Sequence, residues 1–257
     1  MSATAELPSA ISDQRFGRIL CVTDLSDGGA EAVRQAAVLA GPGRAIDLVS
    51  VAPRRRPGMP RPQADQIEAL VVGTRLAVKQ AVGTTVHISE ATDEPAGVLE
   101  CAGHDLIVMA AGDAGLEVLR RATTSLLLTR RPPEGSPFPE SILVGVDGSA
   151  ESHAAVRSAA RLAARHHAIV SLVSTPEHDA AHQHALQDDA RTVERITGTR
   201  PLILDEHRGP VPSIVAAANL VQASVIVMGR RPGSPQHSVS AEVARTAPCS
   251  VLVVRPG

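Results

Sequence analysis

The residues with the means to do chemistry gather at the ends of short apolar runs in the second half of the chain. Asp147, Gly148 and Ser149 follow Ile142–Val146, and Ser174 and Thr175 close the run from Ile169. Met228, Gly229, Arg230, Arg231 and Gly233 follow Val225–Val227, with Ser238, Val239 and Ser240 a few residues on. Arg231 offers a planar donor fork, and Gly229 lets the backbone come close to an anion. Ser238 and Ser240 stand where a helix would start, beside its free N–H groups. This is the composition of a phosphate site. A plainer reading stands next to it, in which Ser238 or Ser240 is a helix N-cap.

Other constellations read as structure. Ser149 with Asp147 and His153 has the residue types of a hydrolase, but no nucleophile elbow surrounds it, and Ser149 reads as the cap of the next helix. His178, His182 and His184 include a pair four apart, yet no cysteine or third ligand completes a metal site, so a solvated helix face is expected and no metal ligand is assigned. Cys21, Cys101 and Cys249 are scattered, as reduced thiols would be. Arg54-Arg55-Arg56 is the one dense basic run and reads as a solvated loop. Phosphate-loop, dinucleotide and zinc-protease motifs are absent, and no catalytic group is assigned.

The elements that must hold these residues occur twice. Ile19-Leu-Cys-Val-Thr-Asp24-Leu-Ser26 sits over Ile142-Leu-Val-Gly-Val-Asp147-Gly-Ser149, and Leu106-Ile-Val-Met109 over Val225-Ile-Val-Met228. Ser125-Leu-Leu-Leu-Thr-Arg130 likewise matches Ser250-Val-Leu-Val-Val-Arg255. A period of about 120 residues is too long for a solenoid and reads as a duplicated domain. The expected division is a tail over 1–17, one domain over 18–131, a proline-rich linker over 132–140 and a second domain over 141–257. In each half, apolar β-branched runs alternate with stretches of helical period, which predicts βαβ units on a parallel sheet. Such sheets bind ligands beyond the carboxyl ends of their strands.

Composition narrows the function. Of 257 residues, 44% are hydrophobic, but Phe16 and Phe138 are the only aromatics. Single-stranded nucleic-acid binding by base stacking is therefore excluded. A net charge of −2 argues against counterion-driven binding to duplex DNA. No apolar run approaches a membrane span, and a cytoplasmic location is expected. Phe16 and Phe138, each just ahead of a first strand, read as matched packing anchors.

Both halves resemble the universal stress protein family, and the chain resembles its tandem members. The resemblance rests on Ile142-Leu-Val-Gly-Val-Asp147-Gly-Ser149, on Val225-Ile-Val-Met-Gly229-Arg-Arg231, and on Ser238-Val-Ser running into Ala247-Pro-Cys-Ser-Val-Leu-Val-Val-Arg255. It implies two open, mainly parallel five-stranded α/β sheets flanked by helices, Rossmann-like, often paired through their last strands. It also implies a glycine-rich loop around the phosphates of ATP, an acid near the nucleotide, and a second-strand end that frames adenine. Carried over, these roles fall on Gly229, Arg231, Ser238 and Asp147, with Ser149, Thr175, Met228, Gly233, Val239 and Ser240 around them.

The loop departs from the family pattern. Only four residues separate Pro232 from His237 where the family has nine, and Pro232 brings no N–H. Losing two charge-assisted bonds, at roughly 1.5–3 kcal/mol each, would weaken binding by about two to four decades. The first half departs further, with Asp113 where phosphate would lie. The resulting expectation is a stress-response binding or regulatory module that takes ATP or a related adenine nucleotide in its second half, with Mg2+ only alongside the nucleotide. The alternative is a nucleotide-independent interaction protein of the same fold, and slow nucleotide hydrolysis ranks third. Expected partners are the nucleotide and an unidentified protein, not nucleic acid or membrane, with pairing of the two halves inside the chain or a homodimer.

Overall fold

A computed structural model describes residues 16–24, 26–42, 44–51, 85–92, 103–174, 180–205, 208–230 and 238–255. The apolar runs become strands and the stretches of helical period become helices. The first half contains β1 (Ile19–Thr23), α1 (Asp27–Ala40), β2 (Ala45–Val51), β3 (Thr85–Thr92), β4 (Leu106–Ala110), α2 (Asp113–Arg121) and β5 (Ser125–Thr129). The second contains β6 (Ser141–Val146), α3 (Ala150–His166), β7 (Ile169–Ser174), α4 (Ala180–Thr197), β8 (Leu202–Asp205), α5 (Pro210–Leu220), β9 (Val225–Gly229), α6 (Val239–Thr246) and β10 (Ser250–Val254).

All ten strands form one sheet, in the order β3-β2-β1-β4-β5-β10-β9-β6-β7-β8. The two five-stranded arrays expected from the sequence are its two halves, each with the same doubly wound order. Within each half the pairing is parallel, and the halves join through an antiparallel β5–β10 pair, Leu127 opposite Leu252. These central strands are buried on both faces, as their near-continuous Leu and Val content requires.

Helices cover both faces. Helices α1, α3 and α4 lie on one, and α2, α5 and α6 on the other. Alanines spaced along one side of α1 (Ala32, Ala36, Ala40) and of α3 (Ala155, Ala159, Ala163) are buried against the sheet. Small side chains at this spacing bring helix and sheet close together, which lets an aliphatic core fill without aromatic rings. Phe138 is buried in the α1/α3 layer and Phe16 packs against it half-buried, so both serve as the anchors their positions predicted. No helix among the described residues is long and apolar enough to cross a membrane.

Two arginines clasp the seam in near-symmetric fashion. After β5, the Arg130 N–H donates to Ser250 Oγ (3.0 Å), and its guanidinium donates to the Ala244 and Arg245 carbonyls (2.7 and 3.1 Å) in the last turn of α6. After β10, the Arg255 N–H donates to Ser125 Oγ (3.1 Å), and its guanidinium donates to the Leu119 carbonyl (3.1 Å) in the last turn of α2. Each cation thus sits at the negative end of the other half's last helix and satisfies carbonyls that the helix leaves unpaired. Arg165 of α3 makes a third cross-half contact, donating to the Leu39 and Ala40 carbonyls at the end of α1 (2.7 and 2.8 Å).

The crossing of a strand end over a helix start places the later site. A Cβ on Gly229 would overlap the Glu151 carbonyl and the Ser152 amide in the first turn of α3. The first half makes the same crossing with Ala110 instead, and the glycine has moved to the helix, where a Cβ on Gly28 would come 3.2 Å from the Ala110 Cβ. Each crossing uses one glycine, on opposite partners.

Two outcomes follow for urea unfolding. Arg130→Ala is expected to destabilise by about 2–4 kcal/mol, since it removes charged hydrogen bonds across the seam, while Arg131→Ala, exposed nearby, changes stability by less than about 0.5 kcal/mol. Gly229→Ala is expected to cost about 1–3 kcal/mol from overpacking, whereas Ala110→Gly costs at most about 1 kcal/mol.

Candidate functional site

Strands β6 and β9 pair only as far as Val144–Val227, although both continue for two more residues. Their first-half counterparts, β1 and β4, stay paired through Val22–Met109. Past Val144 the second-half strands part, and a cavity of about 380 Å³ opens at their carboxyl ends. That is the topological switch point of the sheet, and the volume lies within the small-molecule range. Gly145 stands where the first half has Val22. A Cβ there would meet Ile214 Cδ1 at 3.3 Å and Met228 Cε at 3.7 Å, so the missing side chain leaves room for these two to form the floor.

Three helix starts converge on this cavity. Helix α3 brings Ser149, Glu151 and Ser152, α5 brings Pro210, and α6 brings Ser238, Val239 and Ser240. The floor is aliphatic, made of Val146, Val173, Ile214 and Met228, and the rim carries Asp147, Gly229 and Arg230. Helix starts present backbone N–H groups and the positive end of the peptide dipoles, so the polar side of the cavity favours an anion.

Asp147 is held rigidly. The Ser149 amide and hydroxyl both donate to Asp147 Oδ1 (3.0 and 2.6 Å), and Ser149 Oγ accepts the Ser152 N–H (3.1 Å) as the cap of α3. Partial burial pushes the carboxyl pKa up, but hydrogen bonds, those from Ser149 first and then from Ser152 and the backbone, outweigh it, and the net effect holds Asp147 below the usual carboxylate range. The same unit recurs in the first half, where Ser26 donates to Asp24 Oδ1 and caps α1 through the Gly29 N–H. Ser149 is therefore the cap that its position predicted.

Ser238 behaves differently. It occupies the N-cap position of α6 with extended backbone (φ −68°, ψ 151°), yet its hydroxyl makes no capping bond. Its Oγ lies 3.2 Å from Ser240 Oγ instead. The Ala241 and Glu242 amides turn back to the Ser238 carbonyl (3.0 and 3.1 Å). The N-cap reading holds for its place in the chain and fails for its hydroxyl, which stands at the cavity wall.

Of the residues picked from the sequence, Asp147, Ser149, Met228, Gly229, Ser238, Val239 and Ser240 all line this one cavity. Thr175, Arg231 and Gly233 lie outside the described residues. Gly229 has a reason to be glycine that owes nothing to an anion, namely the α3 crossing. Glu151, Ser152, Pro210 and Ile214 join the lining without having been singled out, and Arg230 lines it where the sequence placed the weight on Arg231. Strand β9 ends at Gly229, and its alternation sends Arg230 to the same face as Met228, which is the signal that could have found it.

Elsewhere the expectations meet their surroundings. Only Ala111 and Gly112 connect β4 to α2 in the first half, and Asp113 opens that helix, exposed. Cys249 is buried, which pushes its thiol up to about 12, and burial pushes Cys21 up as well, so both are inert packing thiols. Among the described residues, no group of three His, Cys, Asp or Glu side chains gathers as a metal site. His184 is exposed on α4, while His178, the His182 side chain, Cys101 and Arg54–Arg56 lie outside the described residues.

Residues 139–255 match the model of the universal stress protein family. No curated protein matches the chain. Among solved structures, a universal stress protein from Archaeoglobus fulgidus DSM 4304 superposes with a TM-score of 0.69 at 17% identity, over 93% of this chain and 96% of that one. The cytoplasmic domain of a prokaryotic cation chloride cotransporter superposes at 0.63 with 12% identity, over 93% and 95%. These likenesses concern the fold, and they run through both halves. The matched residues contain the splayed strands, the Asp147–Ser149 unit and the α6 start, so residues 139–255, the second half of the chain, are what is similar to the universal stress protein family.

Proposed function

We infer that the second half is the nucleotide-binding unit of a stress-response regulatory protein, taking ATP or a related adenine nucleotide in the cavity between β6 and β9. The observation that carries this reading is the division of the cavity. One side is an aliphatic floor of Val146, Val173, Ile214 and Met228, and the other is the start of α6, with Ser238 released from capping. An adenine ring fits the first without needing an aromatic partner, and phosphates fit the second. The ionised Asp147 between them repels phosphate but accepts hydrogen bonds from ribose hydroxyls. Mg2+ would enter with the nucleotide, offsetting phosphate charge near that carboxylate. Arg231 and Gly233 are the further phosphate donors that the sequence offers.

The regulatory part of the reading rests on α6. Its first turn faces the cavity and its last turn is held by Arg130 from the first half. A ligand that orders the start of α6 therefore acts on an element both halves share, which gives occupancy a route to the rest of the molecule. In the first half, β1 and β4 stay zipped and two residues link β4 to α2. That half serves as the support for α6.

Calorimetric titration with ATP and Mg2+ tests this. The wild-type chain is expected to bind, and Ser238→Ala to weaken binding by about tenfold or more, the loss of one hydrogen bond to a charged group. Ser26→Ala, which removes the first-half counterpart of the Ser149 cap, should leave affinity unchanged. No heat and no thermal shift at millimolar ATP would sink the reading.

A further inference from the structure

The two ends of the sheet differ. Strands β3 and β8 close it, and among the described residues each pairs on one side only. The registers match them residue for residue. Leu20 sits opposite Asp47 and Asp47 opposite His87, while Leu143 sits opposite Ser171 and Ser171 opposite Leu202. By the same count Ser89 matches Leu204, and Ala45 matches Ile169. The β2–β3 ladder also shifts register between Val49 and Val51, the kind of irregularity that turns an edge away from further pairing, whereas β7–β8 keeps one register throughout. Where the first half has His87 and Ser89 on an irregular edge, the second has Leu202 and Leu204 on a straight one.

An apolar patch adjoins that straight edge. Ile169, Leu202 and Leu220 are three of the four large hydrophobic side chains left exposed among the described residues, at 67%, 53% and 69%. Strand alternation puts Ile169 on the face of Ser171, and hence on the face of Leu202 and Leu204, where Leu204 packs against the α5 layer. Ser141, the register partner of Ile169, donates its hydroxyl to the Val221 carbonyl (3.1 Å), which brings Leu220 at the end of α5 to the same corner. Helix α5 carries no charged residue. Exposed polar residues, Glu140, Arg200, Asn219 and Gln222, surround the corner. An apolar patch with a polar rim is the mark of an interaction surface.

We propose that β8 is a homodimerisation edge, on which a second copy of this chain adds its own β8 antiparallel about a two-fold axis at Ile203. The order Arg200-Pro-Leu-Ile-Leu-Asp205 selects this occupant, because it is basic before the strand, apolar within it and acidic at its end. Reversed against itself and centred on Ile203, it faces Leu202 of each copy with Leu204 of the other on one side of the sheet. Each Arg200 then stands at the acidic end of the other strand, by Asp205. An axis at Leu202 would set Leu204 against Arg200, and an axis at Leu204 would set Ile203 against Asp205. One register therefore satisfies the charges and the apolar residues together, and it is isologous, as a closed dimer requires. Strand β8 has only four residues, so the leucines and the α5 corner must add to the main-chain pairing. The surface lies outside the cavity and does not depend on the nucleotide reading.

Sedimentation velocity of the full chain across the micromolar range tests this. Wild type is expected to pass from monomer to dimer as concentration rises. Leu202→His, which installs what β3 carries at the matching position, and Leu202→Glu are each expected to raise the dimer dissociation constant by about tenfold or more. Arg200→Glu should also weaken the dimer, and adding Asp205→Arg to it should restore the wild-type constant, since the exchanged charges meet again. In dilute, monomeric solution Leu202→His should melt with wild type, which separates lost pairing from lost fold. A dimer indifferent to Leu202→Glu, or one that the charge exchange fails to restore, overturns the proposed pairing. So does a chain that stays monomeric at every concentration, and if that monomer sediments with phosphatidylcholine vesicles the patch belongs to a lipid surface instead.

Discussion

The antiparallel pairing of β5 with β10 is the contact on which the rest of the molecule hangs. Each half alone would end in a strand with an open edge, made of Leu126–Leu128 or Val251–Val253 and buried on both faces. Such an edge is open to pairing with another chain, because its backbone groups and its side chains both lack cover. Placed against one another, the two edges vanish into the middle of a ten-stranded sheet. The arginine clasp then follows from geometry: antiparallel pairing brings the end of each last strand beside the end of the other half's last helix. Arg130 and Arg255 meet carbonyls there that would otherwise lack donors.

The two halves share one strand order, so the molecule can be compared with itself. The strand–helix crossing is solved twice, with the glycine on the strand at Gly229 and on the helix at Gly28, so the same closeness is reached by different residues. The Asp–Ser unit at the end of the first strand is retained in both halves and belongs to the fold. Several of the second half's differences from the first touch one cavity. Gly145 replaces Val22, the β6–β9 pairing stops early, and Arg230 replaces Ala111. A cavity that opens where Gly145 stands in place of Val22 is a departure from the first half.

Much of this was legible in the sequence, for identifiable reasons. Ile169–Ser174 and Ile19–Thr23 are strands with the bounds their apolar runs implied, and Asp147, Met228, Gly229, Ser238 and Ser240 gather because strand ends and the following helix start are neighbours by topology. What stayed hidden depends on contacts between elements distant in the chain. Ile214 and Pro210 reach the cavity because α5 packs over β6 and β7, which no local pattern states. Ser152 is placed by the crossing with Gly229. Arg230 was visible as a strand-end arginine, but its burial beside Arg255 depends on the β9–β10 register. The joining of two sheets into one could be anticipated from the resemblance and not from periodicity, since an apolar run reveals that a strand is buried and not which strand lies beside it.

The direction of the seam has a spatial consequence. With β5 and β10 antiparallel and every other pairing parallel, the carboxyl ends of the first five strands point to one rim of the sheet, and those of the last five point to the opposite rim. The cavity between β6 and β9 therefore opens on one rim, and the matching strand ends of the first half look the other way. A molecule docked at that far rim could not reach into the cavity. Helices α2 and α6, whose last turns Arg255 and Arg130 hold, run lengthwise between the two rims.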